Sequence, residues 1–231
     1  MAASWIDIQS HDGQGFKGYL ALPPTGTGPG LLLIQEIFGV NEHIKAVADQ
    51  YALDGYVVLA PDLFWRDKPG VNLGYSDADL AIGFKHMQNM DFPLAIQDLA
   101  STVKTLRARP ECSGKVASIG YCMGGLLSFL SAANAGVDAA VCYYPGGIDG
   151  QLGQASKIAG PVLFNFAEAD QYIPAAAIEK VKATFARSPQ VQIETYPNVH
   201  HGFNCWARDS YNQPAATLAH GRTLEFLATK M

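Results

Sequence analysis

The segment VASIGYCMGG, residues Val116–Gly125, constrains the fold of this chain more than any other. It predicts a strand over Val116–Gly120, a sharp turn at Cys122 and a helix over Met123–Ala135. A nucleophile elbow needs small residues two positions before and after the nucleophile, because strand and helix backbones pass close on either side. Free N–H groups and the helix dipole stabilise a thiolate there. We therefore expect Cys122 to be a nucleophile, the alternatives being a structural cysteine or a phosphate-cradling loop.

Strand-length apolar runs alternate with segments of helical period along the rest of the chain. Ser4–Gln9 and Phe16–Leu22 predict a hairpin, and the fully apolar run Leu31–Ile34 is typical of a parallel strand buried on both faces. Further strands are predicted over Tyr56–Ala60, Ala139–Tyr144, Val162–Phe166 and Val191–Tyr196. Further helices are predicted over Glu42–Asp54, Leu80–Asn89, Phe92–Ala108, Ala175–Ala186 and Ala215–Ala228. This order predicts one α/β domain over residues 1–231, with a mostly parallel sheet, an N-terminal hairpin and helices on both faces.

Composition excludes several classes of protein. A chain of 231 residues that is 48% hydrophobic and 16% charged is neither disordered nor fibrous. The net charge of −5 offers no basic face for nucleic acid or anionic lipid. The four cysteines form no CxxC pair, and the sequence has neither a secretory signal nor a membrane-length apolar stretch. We expect a cytoplasmic monomer that acts on a small molecule, without nucleic-acid or membrane partners, metal or cofactor.

A nucleophile needs a base and an acid that orients the base, and both are expected after later strands. Asp170 follows the strand over Val162–Phe166, with Glu168 as an alternative acid. His201 follows the last strand, with His200 as an alternative base. The adjacent histidines predict no metal site, because neighbouring side chains in an extended backbone diverge.

Five strings in chain order resemble the dienelactone hydrolase family of α/β hydrolases. They are QEIFGVN at 35–41, APDLF at 60–64, GKV at 114–116, GYCMGG at 120–125 and HGF at 201–203. The resemblance implies the α/β-hydrolase fold and a triad of Cys122, Asp170 and His201.

The resemblance also implies roles for three further residues, two in the first string and one in the fourth. Glu36 would hold the resting thiol and let it ionise when substrate enters, which protects the thiolate from oxidation. The alternative is that Glu36 only caps a helix or pairs with a nearby charge. Backbone N–H groups of Ile37 and Met123 would form the oxyanion hole.

The sequence departs from the family at the arginines that clamp the substrate carboxylate. The corresponding stretches, Ser76–Ala81 and Phe203–Trp206, contain no arginine. Arg66 and Arg208 lie in segments that could border the pocket, but neither occupies the clamp position. An apolar pocket is expected instead, formed by Phe38, Trp65, Phe203 and Trp206.

These features predict a cysteine hydrolase of neutral or aryl esters and lactones, with promiscuous activity on activated phosphotriesters. A true carboxymethylenebutenolidase, or an acyltransferase or thioesterase with the same triad, is the enzymatic alternative. A ligand-binding module of the same fold would not need Cys122, Asp170, His201 and Glu36 together. A redox sensor would need a resolving cysteine, for which Cys112, Cys142 and Cys205 are candidates.

Overall fold

A computed structural model describes residues 2–231, in which eight strands form one sheet. The strands are β1 (Ala2–Gln9), β2 (Gly15–Leu22), β3 (Gly28–Ile34), β4 (Val57–Pro61), β5 (Cys112–Tyr121), β6 (Ala139–Tyr143), β7 (Val162–Ala167) and β8 (Val191–Tyr196). The helices are α1 (Glu42–Leu53), α2 (Asp77–Asn89), α3 (Phe92–Arg107), α4 (Met123–Asn134), α5 (Ala175–Phe185) and α6 (Gln213–Lys230). The strand order across the sheet is β1-β2-β4-β3-β5-β6-β7-β8.

The predicted hairpin and the mostly parallel sheet are both confirmed. Strands β1 and β2 pair antiparallel with Ala2 opposite Leu22, and β2 pairs antiparallel with β4. From β4 to β8 every neighbouring pair is parallel. Strands β4, β6 and β7 are buried along their whole length, which explains why their sequences, apart from Asn165 of β7, are apolar rather than alternating.

Helices cover both faces of the sheet, as predicted. On one face, Ser128 of α4 hydrogen-bonds to Ser118 of β5 at 2.8 Å between the two Oγ atoms. On the opposite face, Thr223 Oγ1 of α6 lies 2.7 Å from the Tyr143 hydroxyl of β6. Successive strand residues point to opposite faces, so Cys142 belongs to the α4 side and Tyr143 to the α6 side.

Helix α2 begins at Asp77, three residues before the predicted start at Leu80. The Ser76 side chain caps the helix and the Asp79 side chain accepts from the Ser76 backbone, so the polar first turn is helical although it carries no apolar signal. Two 3₁₀ segments, Ile148–Gly150 and Leu152–Lys157, were not predicted.

The parallel strands all end at one edge of the sheet, where open α/β sheets bind their ligands. The segments that carry Glu36, Cys122, Asp170 and His201 follow β3, β5, β7 and β8 there. No helix among residues 2–231 is both long enough and apolar enough to cross a membrane.

Candidate active site

Cys122 stands in a strained turn between β5 and α4. Its backbone has φ 58° and ψ −116°, a conformation that non-glycine residues rarely adopt. Its N–H donates to the Tyr143 carbonyl at 3.1 Å. A Cβ on Gly120 would lie 1.8 Å from the Gly124 carbonyl oxygen, and one on Gly124 would lie 2.3 Å from the Ile34 carbonyl oxygen. The two glycines are therefore required by the close passage of backbone on each side of Cys122.

His201 and Asp170 meet in a buried hydrogen bond. His201 Nδ1 lies 2.7 Å from Asp170 Oδ2, and both side chains are at most 2% exposed. Asp170 Oδ1 accepts from the backbone N–H groups of Tyr172 and Ile173, at 2.8 and 3.1 Å. These bonds hold the carboxylate in one orientation and present one of its oxygens to His201.

The competing acid and base do not take part in this contact. Glu168 is exposed, and His200 is exposed with its Nδ1 lying 2.9 Å from the Ala169 carbonyl oxygen. The structure thus brings Asp170 and His201 together, while Glu168 and His200 point to solvent.

The imidazole of His201 has its other nitrogen free. Nε2 is buried and lacks a hydrogen-bond partner among residues 2–231, and His201 lines the same cavity as Cys122. Burial alone would lower the pKa of His201, but the negative charge of Cys122 and the hydrogen bond to Asp170 outweigh it and raise the pKa to about 10. The arrangement therefore favours the protonated form of His201 beside Cys122.

Glu36 is buried, with 1% of its surface exposed, and both of its carboxylate oxygens have a donor. Arg208 Nη1 donates to Oε1 at 3.1 Å, and the Tyr75 hydroxyl donates to Oε2 at 3.3 Å. Within residues 2–231 the carboxylate makes no hydrogen bond to Cys122. In this structure the partner of Glu36 is therefore the largely buried guanidinium of Arg208, rather than the Cys122 thiol or a surface charge.

Of the two arginines expected to border the pocket, Arg208 does so and Arg66 does not. The Arg208 position was not expected to be that of a carboxylate clamp. Its side chain lines the cavity together with Cys122 and His201. Arg66 lies elsewhere: Nε and Nη2 donate to Asp98 at 2.8 and 2.9 Å, and Nη1 donates to Asp12. One arginine, contributed by the loop after His201, thus faces the candidate nucleophile.

The cavity beside Cys122 has a volume of about 300 Å³ and a mainly apolar lining. Its apolar members come from the turn after β3 and from α2, α3 and α4: Ile37, Phe38, Leu80, Phe84, Met87, Phe92, Met123 and Leu126. The positions 80, 84 and 87 fall on one face of α2. This helical spacing is visible in the sequence, but no motif connects it with the site.

Only Phe38 of the four expected pocket aromatics belongs to this lining, which corrects the prediction for Trp65, Phe203 and Trp206. Trp65 stacks on Phe16 and donates its indole N–H to Asp98 at 3.0 Å. Phe203 is fully buried against other aromatic rings, and Trp206 is exposed with its ring edge on His43. These three residues pack into the core or onto the surface beside the site.

The expected oxyanion donors Ile37 and Met123 both lie at the cavity beside Cys122. Helix α2 packs directly on the first of them, since a Cβ on Gly83 would lie 2.6 Å from the Ile37 carbonyl oxygen. Gly83 is a contact residue that the sequence gave no signal for.

Two tyrosines contact His201, and the sequence does not predict either contact. The ring centroids of Tyr144 and Tyr172 lie 4.9 and 5.0 Å from that of the imidazole. All four cysteines are free thiols, and within the described part of the chain no three His, Cys, Asp or Glu side chains form a group that could hold a metal ion.

Comparison with known proteins shows the family and the fold of this chain. Residues 16–231 match the model of the dienelactone hydrolase family. A carboxymethylenebutenolidase of Pseudomonas putida is 34% identical over 229 residues, which cover 99% of this chain and 97% of the relative. A solved structure from Klebsiella pneumoniae that carries the dienelactone hydrolase name superposes with a TM-score of 0.87 at 27% identity, covering 98% of both chains.

A second solved structure extends the fold comparison. The dienelactone hydrolase-like promiscuous phosphotriesterase P91, from metagenomic libraries, superposes with a TM-score of 0.83 at 23% identity and covers 100% of this chain and 99% of its own. The predicted α/β-hydrolase fold is thereby confirmed.

Proposed function

The chain belongs to the dienelactone hydrolase family, and on that basis we propose that it hydrolyses ester or lactone bonds with Cys122 as the nucleophile. The observation that carries the proposal is the buried 2.7 Å contact between His201 and Asp170 at the cavity that Cys122 lines. Asp170 holds the imidazole in the tautomer that leaves Nε2 facing the reaction. A binding module would not need this set of groups.

The chemical steps follow from these positions. The Cys122 thiolate attacks the carbonyl carbon, and backbone N–H groups of Ile37 and Met123 stabilise the resulting oxyanion. The carbon–oxygen bond to the leaving group then breaks, and the imidazolium of His201 protonates the departing alkoxide. A water molecule, deprotonated by His201, attacks the thioester. The carbon–sulfur bond breaks, the acid is released and the thiolate–imidazolium pair is restored.

Neutral esters and lactones, aryl esters among them, are the proposed substrates. The lining is mainly apolar, and Arg208 is already paired with Glu36, so a substrate carboxylate would have to compete with a buried carboxylate for the guanidinium. An apolar acyl or aryl group meets no such competition.

A carboxylated lactone is the second candidate, and Arg208 is the observation that favours it. The guanidinium faces the cavity from the loop after His201, so it could bind a substrate carboxylate by releasing Glu36. The Pseudomonas putida relative carries the name of an enzyme that acts on such a lactone.

The deciding experiment compares p-nitrophenyl acetate hydrolysis by the wild type, Cys122→Ala and Cys112→Ala. Cys112 is a partly exposed thiol at the start of β5, outside the cavity lining, and serves as the matched control. The proposal requires that Cys122→Ala lose nearly all activity and Cys112→Ala keep it. Full activity in Cys122→Ala would refute the mechanism.

A substrate panel then separates the candidates. It contains p-nitrophenyl acetate and butyrate, a neutral lactone, dienelactone and an aryl phosphotriester, the last because P91 is a phosphotriesterase of the same fold. Higher kcat/KM for the neutral compounds supports the first candidate, and a clear preference for dienelactone replaces it with the second.

We also propose that the chain forms one domain, since all eight strands join one sheet, and that it works as a monomer. Four free thiols suit the reducing cytoplasm. Light scattering on the purified protein tests the monomer directly.

A further inference from the structure

The cavity beside Cys122 has a neighbour further along α4. This second cavity has a volume of about 460 Å³ and lies beside Leu130 and Asn134. Leu126, which comes one turn after Cys122, lines the first cavity. Because Leu126, Leu130 and Asn134 follow one another at intervals of four residues, they form one row along α4. The same row of side chains is therefore the floor of both cavities.

The walls of the two cavities also belong to the same segments of the chain. On one side, Phe92 at the start of α3 lines the first cavity and Ile96, one turn later, lines the second. On the other side, the glycines at 146–147 line the first cavity, and Gln154 and Lys157 of the following 3₁₀ segment line the second. The two cavities are therefore successive parts of one groove across α4, with Cys122 at one end.

Phe92 belongs to the linings of both cavities and so stands at the boundary between them. Its ring is half-buried against the hydrophobic core. The backbone that carries it is fixed by the cap of α3, where the Asp91 side chain accepts from the Leu94 N–H at 3.0 Å and Pro93 occupies the first turn. The size of the Phe92 side chain thus decides whether the two cavities communicate.

The acyl part of a substrate is the group that would enter this groove. In the proposed mechanism the acyl group is bonded to Cys122, whereas the leaving group takes a proton from His201. His201 follows β8, and α3 packs against β3, β4 and β5, on the side of β5 away from β8. The side of Cys122 that leads to Phe92 is therefore the side left for the acyl group.

We propose that Phe92 determines the acyl chain length of the substrate, by admitting short acyl groups and blocking longer ones at the entrance to the second cavity. This rests on the proposed function, in which Cys122 carries the acyl group. Leu126 and Leu130 lie about 6 and 12 Å from Cys122 along the axis of α4. An extended chain advances about 1.2 Å per bond. A butyryl group thus ends beside Leu126, whereas an octanoyl group needs the space beyond Phe92.

The second cavity is apolar next to Phe92 and polar at its far end. Ile96 and Leu130 line the part nearest to Phe92, and Lys157 Nζ lies 3.5 Å from Asn134 Oδ1 further along. This polar end does not favour additional methylenes. The space beyond Phe92 therefore suits the end of an octanoyl chain better than that of a dodecanoyl chain.

The test compares kcat/KM for p-nitrophenyl butyrate, octanoate and dodecanoate in the wild type and in Phe92→Ala. We expect the wild type to prefer butyrate. Phe92→Ala should raise the octanoate-to-butyrate ratio roughly tenfold or more, since each methylene buried in an apolar site is worth about fourfold in affinity. The gain with dodecanoate should be smaller.

Two further variants accompany Phe92→Ala. Phe92→Leu keeps more of the apolar contact with the core and should shift the ratio in the same direction by less. Ile82→Ala is the matched control, because Ile82 is an exposed apolar residue of α2 that lines neither cavity. Its octanoate-to-butyrate ratio should equal that of the wild type. Thermal unfolding checks that all variants are folded.

A double variant identifies where the longer chain lies. Adding Ile96→Gln to Phe92→Ala places an amide in the wall of the second cavity and should remove most of the gain with octanoate. A gain that Ile96→Gln does not reduce overturns the proposal, because the chain then lies elsewhere.

The remaining outcomes separate this proposal from the proposed function. A wild type that hydrolyses octanoate as well as butyrate, or a ratio that is the same in the wild type, Phe92→Leu and Phe92→Ala, overturns the role of Phe92 while leaving Cys122-dependent hydrolysis intact. Absence of Cys122-dependent hydrolysis of every ester would instead refute the proposed function, and the role of Phe92 with it.

Discussion

Arg208 Nη1 donates to Glu36 Oε1 at 3.1 Å, although 172 positions of sequence separate the two residues. The pair joins the turn after β3 to the loop after β8 at the cavity that contains Cys122. Since Glu36 is 1% exposed and the Arg208 side chain 15%, neither charge is well hydrated. Each residue therefore depends on the other for its burial.

Removing Arg208 should destabilise the protein more than removing a surface arginine. Arg208→Met leaves the Glu36 carboxylate buried without its cation, and we expect the free energy of unfolding to fall by roughly 3 kcal/mol. Arg107→Met breaks an exposed pair with Asp138 and should cost less than about 1 kcal/mol. Urea denaturation measures both.

The double variant Glu36→Gln/Arg208→Met should be more stable than Arg208→Met, because it also removes the unpaired charge. Equal stability of the Arg208→Met and Arg107→Met variants would show that groups other than Arg208 stabilise the buried Glu36 carboxylate.

Cys122→Ala should lower the pKa of His201. The pKa is raised to about 10 against the opposing effect of burial, and the negative charge of Cys122 contributes to that rise. In the wild type the imidazolium should therefore persist well above pH 7 and lose its proton only in alkaline solution. Without Cys122 the proton should leave at lower pH, as NMR titration of the ring nitrogens would report. Cys112→Ala should leave the titration unchanged, and an unchanged midpoint in Cys122→Ala would mean that the two groups are not coupled.

Asp170→Asn should lower kcat with little change in KM. An amide at this place cannot accept two backbone N–H bonds and the imidazole Nδ1–H as the carboxylate does, so the ring loses its tautomer and orientation. We expect a loss of roughly 10²- to 10⁴-fold, by comparison with other triads. Glu168→Gln, on an exposed side chain two residues away, is the control. A larger loss of kcat in Glu168→Gln than in Asp170→Asn would mean that Glu168, and not Asp170, is the acid that orients His201.

Much of the fold is accessible from the sequence because buried parallel strands are short apolar runs. Leu31–Ile34 and Val162–Phe166 each lie within an observed strand. Val191–Tyr196 matches a strand end to end although it contains Gln192 and Glu194. The start of α2 and the two 3₁₀ segments carry no such runs, since Ser76 and Asp79 build the first turn from polar groups.

The candidate site likewise contains residues whose positions the sequence predicts and one, Arg208, whose position it does not. Cys122 directly follows β5, and Asp170 and His201 lie in the short loops after β7 and β8, so the strand positions predict that all three lie at one edge of the sheet. Arg208 reaches the cavity through successive turns, in which the Cys205 N–H donates to the Gly202 carbonyl and the Arg208 N–H to the Cys205 carbonyl. Such turns have no periodic signature, and the sequence therefore gives no direction for the Arg208 side chain.

The contact between Gly83 and Ile37 predicts opposite outcomes for two glycine substitutions in helices. Alanine normally stabilises a helix relative to glycine, and Gly221→Ala in α6, where a Cβ meets nothing within 4 Å, should raise the free energy of unfolding by about 0.4–1 kcal/mol. In Gly83→Ala the Cβ would lie 2.6 Å from the Ile37 carbonyl oxygen. Helix α2 must then move away from the turn that carries an expected oxyanion donor, at a cost of about 1–3 kcal/mol. The thermal unfolding temperature and kcat/KM for p-nitrophenyl acetate should both fall in Gly83→Ala and not in Gly221→Ala. A Gly83→Ala protein as stable and active as Gly221→Ala would show that α2 does not support the oxyanion turn.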